Sequence, residues 1–171
     1  MRILILMVTT LVTTGALAST LAHHDRAAGG PRVADLEVFG DGLTFVASGS
    51  VRGIAGDVDD LEVQVKVRGV VKGECASSGA AAPQRFAVPL VMTGAATTRR
   101  ASRAERTFFV RTAPPRVTSA EVCPRSEWSV AVREVVFIGA RLQIGRGAGA
   151  LECQFPAVDG PVDEPGCRIQ P

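Results

Sequence analysis

The sequence is poor in the side chains on which most enzyme sites rely. Its 171 residues include no tyrosine or asparagine, two histidines and one tryptophan. Without asparagine there is no N-glycosylation acceptor. His23 and His24 are adjacent near the N-terminus, whereas Ser–His–Asp and Cys–His hydrolysis needs an imidazole held rigidly beside its nucleophile. These absences argue against both kinds of hydrolytic enzyme.

Sugar-directed chemistry is disfavoured by the scarcity of aromatic side chains. The chain has seven phenylalanines besides Trp128, and a hydrophobic core would use most of them. Glycoside hydrolysis also needs two carboxylates fixed across a cleft. We interpret Trp128, close to Cys123 in the sequence, as core packing rather than as a ligand platform. The composition therefore predicts a non-enzymatic protein without a cofactor.

Charge is almost balanced along the chain. The formal net charge is +2, and without Arg2 the remaining 18 cations oppose 17 acids. Such a balance gives no support for nucleic acid, or for a strongly anionic surface, as an obligate partner. Nearly all of the cations are arginine, because Lys66 and Lys72 are the only lysines.

The N-terminus predicts a secretory signal peptide. Met1-Arg2 precedes an apolar run, and Ala16 and Ala18 supply the small residues that a signal peptidase needs. The run is interrupted by threonines and falls short of the ~20 residues of a typical membrane span. No later segment is apolar enough to span a membrane. We place the leader at residues 1–18, with residue 22 as its alternative end, a flexible mature N-terminus at 19–32 and one domain at 33–171.

Four cysteines follow the leader, and an even number in an exported chain predicts two disulfides with three possible connectivities. We favour Cys75–Cys123 and Cys153–Cys167, the second because the 13 residues between its cysteines include three prolines and two glycines. We expect the first bond to join the ends of the two longest strands and to stabilise the fold more, because the second tethers only a proline-rich tail that can fray. A zinc site would need close Cys-x-x-Cys pairs, and none occurs.

Short strands dominate the pattern of the domain. In residues 61–75, Leu61, Val63, Val65 and Val67 alternate with polar residues, which is typical of a half-buried strand. Pro89 places its strand at a sheet edge or a bulge, because proline cannot donate to the ladder. The other predicted strands are 33–39, 43–51, 85–92, 106–112, 128–138 and 151–155, with 94–104 as a connection, 139–140 as a turn and 141–145 as a return strand. Seven or eight strands without an amphipathic helix predict an all-β, antiparallel sandwich.

Four stretches resemble an uncharacterised family of small exported bacterial proteins. They are residues 49–56 with the strand that follows, Ala82-Pro83, residues 109–115, and the Cys-Pro-Arg-Ser-Glu-Trp run at 123–128. The resemblance covers residues 43–155. It implies an immunoglobulin-like β-sandwich and bacterial export to the cell exterior, and it implies no chemistry.

Two weak metal sites compete with a metal-free interpretation. Cleavage after residue 22 would make His23 the terminal residue, whose amine and imidazole could chelate copper, but the body of the fold offers no second histidine. Asp57, Asp59 and Asp60 supply the hard oxygens that calcium takes, without the usual loop spacing. We therefore interpret the aspartates as an acidic turn that precedes a strand.

A run of arginines is the candidate binding site. Arg99, Arg100, Arg103 and Arg106 lie within eight residues and could pair with phosphate, sulfate or carboxylate groups. We predict a secreted domain that is structural or binds a ligand, such as an anionic cell-envelope component or another protein, through loops or an exposed sheet face. The alternative is an exported metal-binding protein or enzyme that uses the histidines or the acidic turn.

Overall fold

The computed structural model describes residues 30–54, 60–77, 79, 82–147, 149–156, 160–162 and 166–171, whose regular secondary structure is almost entirely β-strand. They form ten strands and one short helix. In chain order the elements are β1 (Arg32–Asp41), β2 (Thr44–Arg52), β3 (Glu62–Ala76), β4 (Gln84–Thr97), β5 (Arg99–Arg100), β6 (Glu105–Arg111), α1 (Ser119–Val122), β7 (Ser129–Ile144), β8 (Leu151–Pro156), β9 (Gly160–Pro161) and β10 (Gly166–Ile169).

The strands make two antiparallel sheets that pack as a sandwich. Sheet A has the order β5-β6-β2-β1-β9, and sheet B has the order β10-β8-β7-β3-β4. Eight of the strands have four residues or more, and β5 and β9 have two each. The predicted all-β, antiparallel sandwich with two disulfides is confirmed. β1 begins at Arg32, one residue before the predicted start of the domain.

The alternating segment forms β3, as predicted, in the interior of sheet B. β3 pairs with β4 on one side and with β7 on the other. Val63, Val65 and Val67 are at most 1% exposed, whereas Lys66 and Arg68 between them are exposed. Because each buried valine contributes about 1.5–3 kcal/mol, this pattern holds β3 in one register with its polar residues outward.

The strands of sheet B are longer than those of sheet A, so sheet A covers only part of the inner face of sheet B. β3, β4 and β7 have 14 to 16 residues, whereas the longest strand of sheet A has 10. The main core lies between the sheets. A second core, formed by Val71, Met92 and Val135, lies beyond sheet A and is packed by residues that include Val117 of the connection between β6 and β7. That connection, residues 112–128, thus covers the overhanging end of sheet B.

Both predicted disulfides are present, but the first one does not join the ends of the two long strands as predicted. Cys75 is fully buried near the C-terminal end of β3. It bonds Cys123, which directly follows α1, with a Cα–Cα distance of 5.7 Å. β3 and β7 are already paired side by side along their length. The bond therefore anchors the covering connection rather than joining the two long strands.

The second disulfide also differs from its predicted role. Cys153 and Cys167 lie directly opposite each other on β8 and β10, with a Cα–Cα distance of 4.0 Å. Cys153 is fully buried in the main core, and Cys167 packs against that core. The tail of the chain is thus an edge strand of sheet B and not a loosely tethered terminus.

Pro89 lies on an edge strand, as predicted. β4 is the last strand of sheet B. The N–H of Ala113 donates to the carbonyl of Thr93 on the side of β4 away from β3. Because the hydrogen-bonding direction alternates along an antiparallel strand, Pro89 has the same orientation as Thr93. Its missing N–H therefore falls on the open edge and costs no ladder bond.

Two sequence predictions about connections are wrong. The expected turn at 139–140 lies inside β7, which continues from Ser129 to Ile144 in 16 residues. Gly139 is paired with Arg68 of β3 and Pro156 of β8, and the Arg68 guanidinium lies at an ordinary contact distance, 3.9 Å, from where a Cβ would be. The expected connection at 94–104 contains the end of β4 and all of β5.

The chain crosses from sheet A to sheet B against Gly94. A Cβ at that position would lie 2.3 Å from the carbonyl oxygen of Arg111 at the end of β6. Thr112, the next residue, exchanges two hydrogen bonds with the Phe45 backbone, one through its hydroxyl and one through its N–H, both at 2.9 Å. Glycine is required here because two backbones touch.

Trp128 is less buried than the sequence predicted. It is half-buried, and neither core cluster of the described residues includes it. It lies between α1 and β7, in the covering connection. The aromatic pair of the main core is Phe45 with Phe137, whose ring centroids are 5.4 Å apart in an edge-to-face arrangement.

Candidate functional site

The predicted metal sites lie mostly outside the described residues. The leader, His23 and His24 are outside them, as are Asp57 and Asp59 of the acidic turn. Asp60 is described, and it is exposed just before β3. Among the described residues, no group of three histidine, cysteine, aspartate or glutamate side chains is placed to hold a metal ion.

The arginine run does not present four guanidinium groups on one surface. Arg99 and Arg100 form β5, and Arg103 is exposed in the bend after it. Arg106 is 1% exposed, and its guanidinium donates to the carbonyls of Ser102 (3.0 Å) and Glu105 (3.3 Å). Three of the four predicted anion-binding residues are thus exposed together. The fourth, Arg106, is buried and stabilises the connection between β5 and β6 through these hydrogen bonds.

A second basic site, which the sequence did not predict, lies on the outer face of sheet B. Lys66 of β3 is opposite Arg141 of β7, which is in turn opposite Gln154 of β8. Directly opposite residues share a face of the sheet, with Cβ atoms about 4.5–5.5 Å apart. These side chains and Arg68, with Ile138 and Pro156 among the apolar residues, line an open groove of about 570 Å³. We call it the basic groove.

Most charged side chains around the basic groove are paired. The Lys72 ammonium lies 3.2 Å from the Glu134 carboxylate, and the Arg133 guanidinium lies 3.2 Å from that of Glu74. Glu62 pairs with Arg146 at the far end of β3. Glu152, the remaining carboxylate in the strands of sheet B, pairs with Arg141 and Arg168. Every carboxylate in these strands therefore has a cationic partner.

Lys66 and Arg68 differ from these paired cations. Neither has a hydrogen-bond or ion-pair partner among the residues that the structure describes, and both are exposed. They lie two residues apart on β3, so their side chains project from the same face. Two unneutralised positive charges thus stand side by side in the middle of the sheet.

Arg141 is held in the basic groove by a covered carboxylate. The side chain of Glu152 on β8 is fully covered, although it belongs to the outer face of the sheet. It accepts hydrogen bonds from Arg141, Arg168, Gln154 and Gln170. The hydrogen bond from Gln154, with those from Arg168, Arg141 and Gln170, lowers the pKa of Glu152 to about 2 against the effect of burial.

Glu152 fixes Arg141 without neutralising the whole site. Its single negative charge is shared between two guanidinium groups, which remain 48% and 71% exposed at Arg141 and Arg168. The five strands of sheet B carry seven cationic and four acidic residues, an excess of three positive charges. A cleft lined by charge of one sign attracts ions of the opposite sign. The groove is therefore suited to an anion.

Sequence reasoning overlooked this site because its residues are far apart in the chain. Lys66 and Arg68 were interpreted only as the solvent-facing half of a strand, and Arg141 was assigned to the strand after a turn. The signal lay in the outward positions of β3, where two cations follow each other without an acid between them. Only the pairing of β3 with β7 adds the third cation.

Comparisons with family models, with curated proteins and with solved structures found no match. In the described residues, no helix is long and apolar enough to span a membrane. The geometry of the basic groove is thus the main indication of function.

Proposed function

We propose that the protein is an exported, non-enzymatic binding domain that takes an anionic ligand through the basic groove. The observation that carries this proposal is the position of Lys66 and Arg68, two cations without a partner among the described residues, beside the anchored Arg141. Surface cations are commonly paired or dispersed. Here three converge on one concave surface.

The three side chains offer complementary ways to hold an anion. The lysine ammonium is a compact point charge, whereas a guanidinium can bind a phosphate or carboxylate through two parallel hydrogen bonds. Arg141 has part of its fork engaged by Glu152, so its orientation is set before a ligand arrives. A pre-oriented side chain loses less conformational entropy on binding than a free one.

Export is supported by the two disulfides and by the N-terminal leader pattern. Disulfides form and persist in oxidising compartments such as the bacterial periplasm and the cell exterior. The described residues contain no free cysteine. The sandwich of two antiparallel sheets is compatible with the immunoglobulin-like architecture that the resemblance implies, and that assignment is part of the proposal.

Titration with inorganic polyphosphate of short chain length tests the proposed function. We expect binding by isothermal calorimetry at low salt, with an affinity that falls as salt screens the charges. The double variant Lys66→Gln with Arg68→Gln removes both unpaired cations and should abolish measurable binding. The matched control is Arg116→Gln with Arg125→Gln, which removes two exposed cations outside sheet B.

Three outcomes would contradict the proposal. The first is no binding by the wild-type protein at low salt. The second is equal affinity for the two double variants, which would indicate that polyphosphate responds to net charge alone. The third is loss of binding in the control together with retention in the groove variant, which would move the site to the connection around Arg116.

A further inference from the structure

An apolar patch continues the basic groove across the outer face of sheet B. Val91, Val136 and Ile138 are 51%, 37% and 59% exposed, and they belong to β4 and β7. Between their strands lies Val70 of β3, which is directly opposite both Pro89 and Val136. These residues make the centre of the face apolar, and we call Val91, Val136 and Ile138 the apolar patch.

The apolar patch and the basic groove share a border. Ile138 is itself a wall of the groove. Arg68 lies directly opposite Val91 on β4 and opposite Gly139 on β7. One unneutralised cation therefore stands beside exposed apolar side chains, and a single ligand can contact both.

Charge argues against a second copy of the chain as the partner on this face. A symmetric pair would place Lys66 and Arg68 of one copy against the same face of the other, with its excess of positive charge. Like charges facing each other at an interface disfavour association. The partner on this face should be anionic.

A soluble polyanion would use only half of the surface. Phosphate or carboxylate groups would pair with Lys66, Arg68 and Arg141, but they would leave Val91 and Ile138 in water. An amphiphile engages both halves, since its head group meets the cations and its hydrocarbon covers the apolar side chains. Exposed apolar residues bordered by cations are the composition of a surface that lies on an anionic bilayer.

We propose that the outer face of sheet B docks on a lipid bilayer that carries anionic head groups, with Lys66, Arg68 and Arg141 at the head groups and the apolar patch against the lipid. This inference rests on the proposed function, because it names the class of anion that the groove takes. The near balance of charge over the whole chain does not oppose it, because the excess is local to one face. Each cation near such a surface strengthens binding by about fivefold.

Sedimentation with lipid vesicles tests the inference on the full mature protein. One set of vesicles contains equal parts of phosphatidylglycerol and phosphatidylcholine, and the other contains phosphatidylcholine alone. We expect the protein to sediment with the anionic vesicles only. Lys66→Gln with Arg68→Gln should weaken this binding by about 25-fold, whereas the control Arg116→Gln with Arg125→Gln should bind within about twofold of the wild-type protein.

A second variant separates lipid docking from plain anion binding. Val91→Thr with Val136→Thr keeps β-branched side chains on exposed strand positions, so folding should be preserved, and it leaves Ile138, a wall of the basic groove, unchanged. This variant should bind polyphosphate as the wild-type protein does and should bind anionic vesicles at least several-fold more weakly. If this double variant melts much earlier than the wild-type protein, Val91→Thr alone serves the same comparison.

The outcomes distinguish this inference from the proposed function. Binding of polyphosphate without binding of anionic vesicles overturns the inference and leaves the proposed function intact. Failure of both ligands overturns both. Equal vesicle binding by the wild-type protein and the threonine variant also overturns the inference. So does a wild-type dimer in solution that the threonine variant loses, because a second copy then covers the apolar patch.

Discussion

The guanidinium of Arg141 donates to the carboxylate of Glu152, a side chain on the outer face of the sheet that is nevertheless fully covered. Their strands pair so that Glu152 is two residues along β8 from Gln154, the residue opposite Arg141. The carboxylate accepts four side-chain donors. This contact orients the cation at the back of the basic groove and ties β8 to both of its neighbours.

Replacement of Glu152 by Gln should remove a pH-dependent part of the stability. The pKa of Glu152 is lowered from 4.5 to about 2, so the carboxylate is more acidic in the folded state than in the unfolded state. Its contribution is fully present above pH 4.5 and is lost as the pH falls towards about 2. The difference in melting temperature between the wild-type protein and Glu152→Gln should be largest at neutral pH.

Melting curves by circular dichroism between neutral pH and pH 2 check this prediction. The two proteins should converge at the acidic end. Glu127→Gln, at an exposed position outside both sheets, is the control and should follow the wild-type curve. A gap between wild-type protein and Glu152→Gln that stays constant or widens towards low pH would contradict the assigned role of the carboxylate.

Replacement of Gly94 by Ala should be strongly destabilising. The added Cβ would lie 2.3 Å from the Arg111 carbonyl oxygen, and two backbones cannot separate there without moving the crossing between the sheets. We expect a loss of at least about 3 kcal/mol in the free energy of unfolding, at the upper end of typical overpacking costs. Urea denaturation measures it. Gly79→Ala is the control and should change stability little, because no atom of the described residues lies within 4 Å of the added Cβ. Equal effects of the two substitutions would refute the crossing geometry.

Replacement of Pro89 by Val should promote self-association. The substitution adds an N–H on the open edge of β4, where an exposed strand can pair with another chain. The stability of the monomer should change little, because no bond to β3 is involved. Light scattering after size-exclusion chromatography over a range of concentrations detects the association. Ala87→Val on the same strand raises β-propensity without adding a donor, and association of this control to the same extent would exclude the N–H as the cause.

Removal of either disulfide should lower stability by similar amounts. By the chain-entropy model the Cys75–Cys123 loop is worth about 4 kcal/mol and the Cys153–Cys167 loop about 3 kcal/mol. The sequence alone predicts a larger difference in stabilisation between the two bonds, because the tail was expected to fray. The structure predicts a smaller difference, since Cys153 is in the main core and Arg168, beside Cys167, donates a hydrogen bond to Glu152.

Melting temperatures of two double variants, Cys75→Ala with Cys123→Ala and Cys153→Ala with Cys167→Ala, check the prediction. Both should melt clearly below the wild-type protein, with free energies of unfolding within about 1 kcal/mol of each other. A tail variant that melts like the wild-type protein would restore the interpretation of a loose tether.

Local physics made several features of this protein readable from its sequence. Alternation along β3 determined which side chains face the core, because the side-chain period of a strand is two. Proline's missing donor placed Pro89 on an edge. The short, proline-rich spacing of Cys153 and Cys167 indicated their bond. Each of these conclusions depends on residues that are close in the chain or on the chemistry of one residue.

The tertiary structure decided what depends on residues that are far apart in the chain. Gly139 was expected in a turn, because glycine is typical of turns, whereas the ladders of β7 with β3 and with β8 both continue through it. Arg106 was grouped with its exposed neighbours, although the packing of β6 buries it. The basic groove exists because the register of β3, β7 and β8 aligns Lys66, Arg141 and Gln154 in one row. Register is a property of the paired sheet, and no single strand contains it.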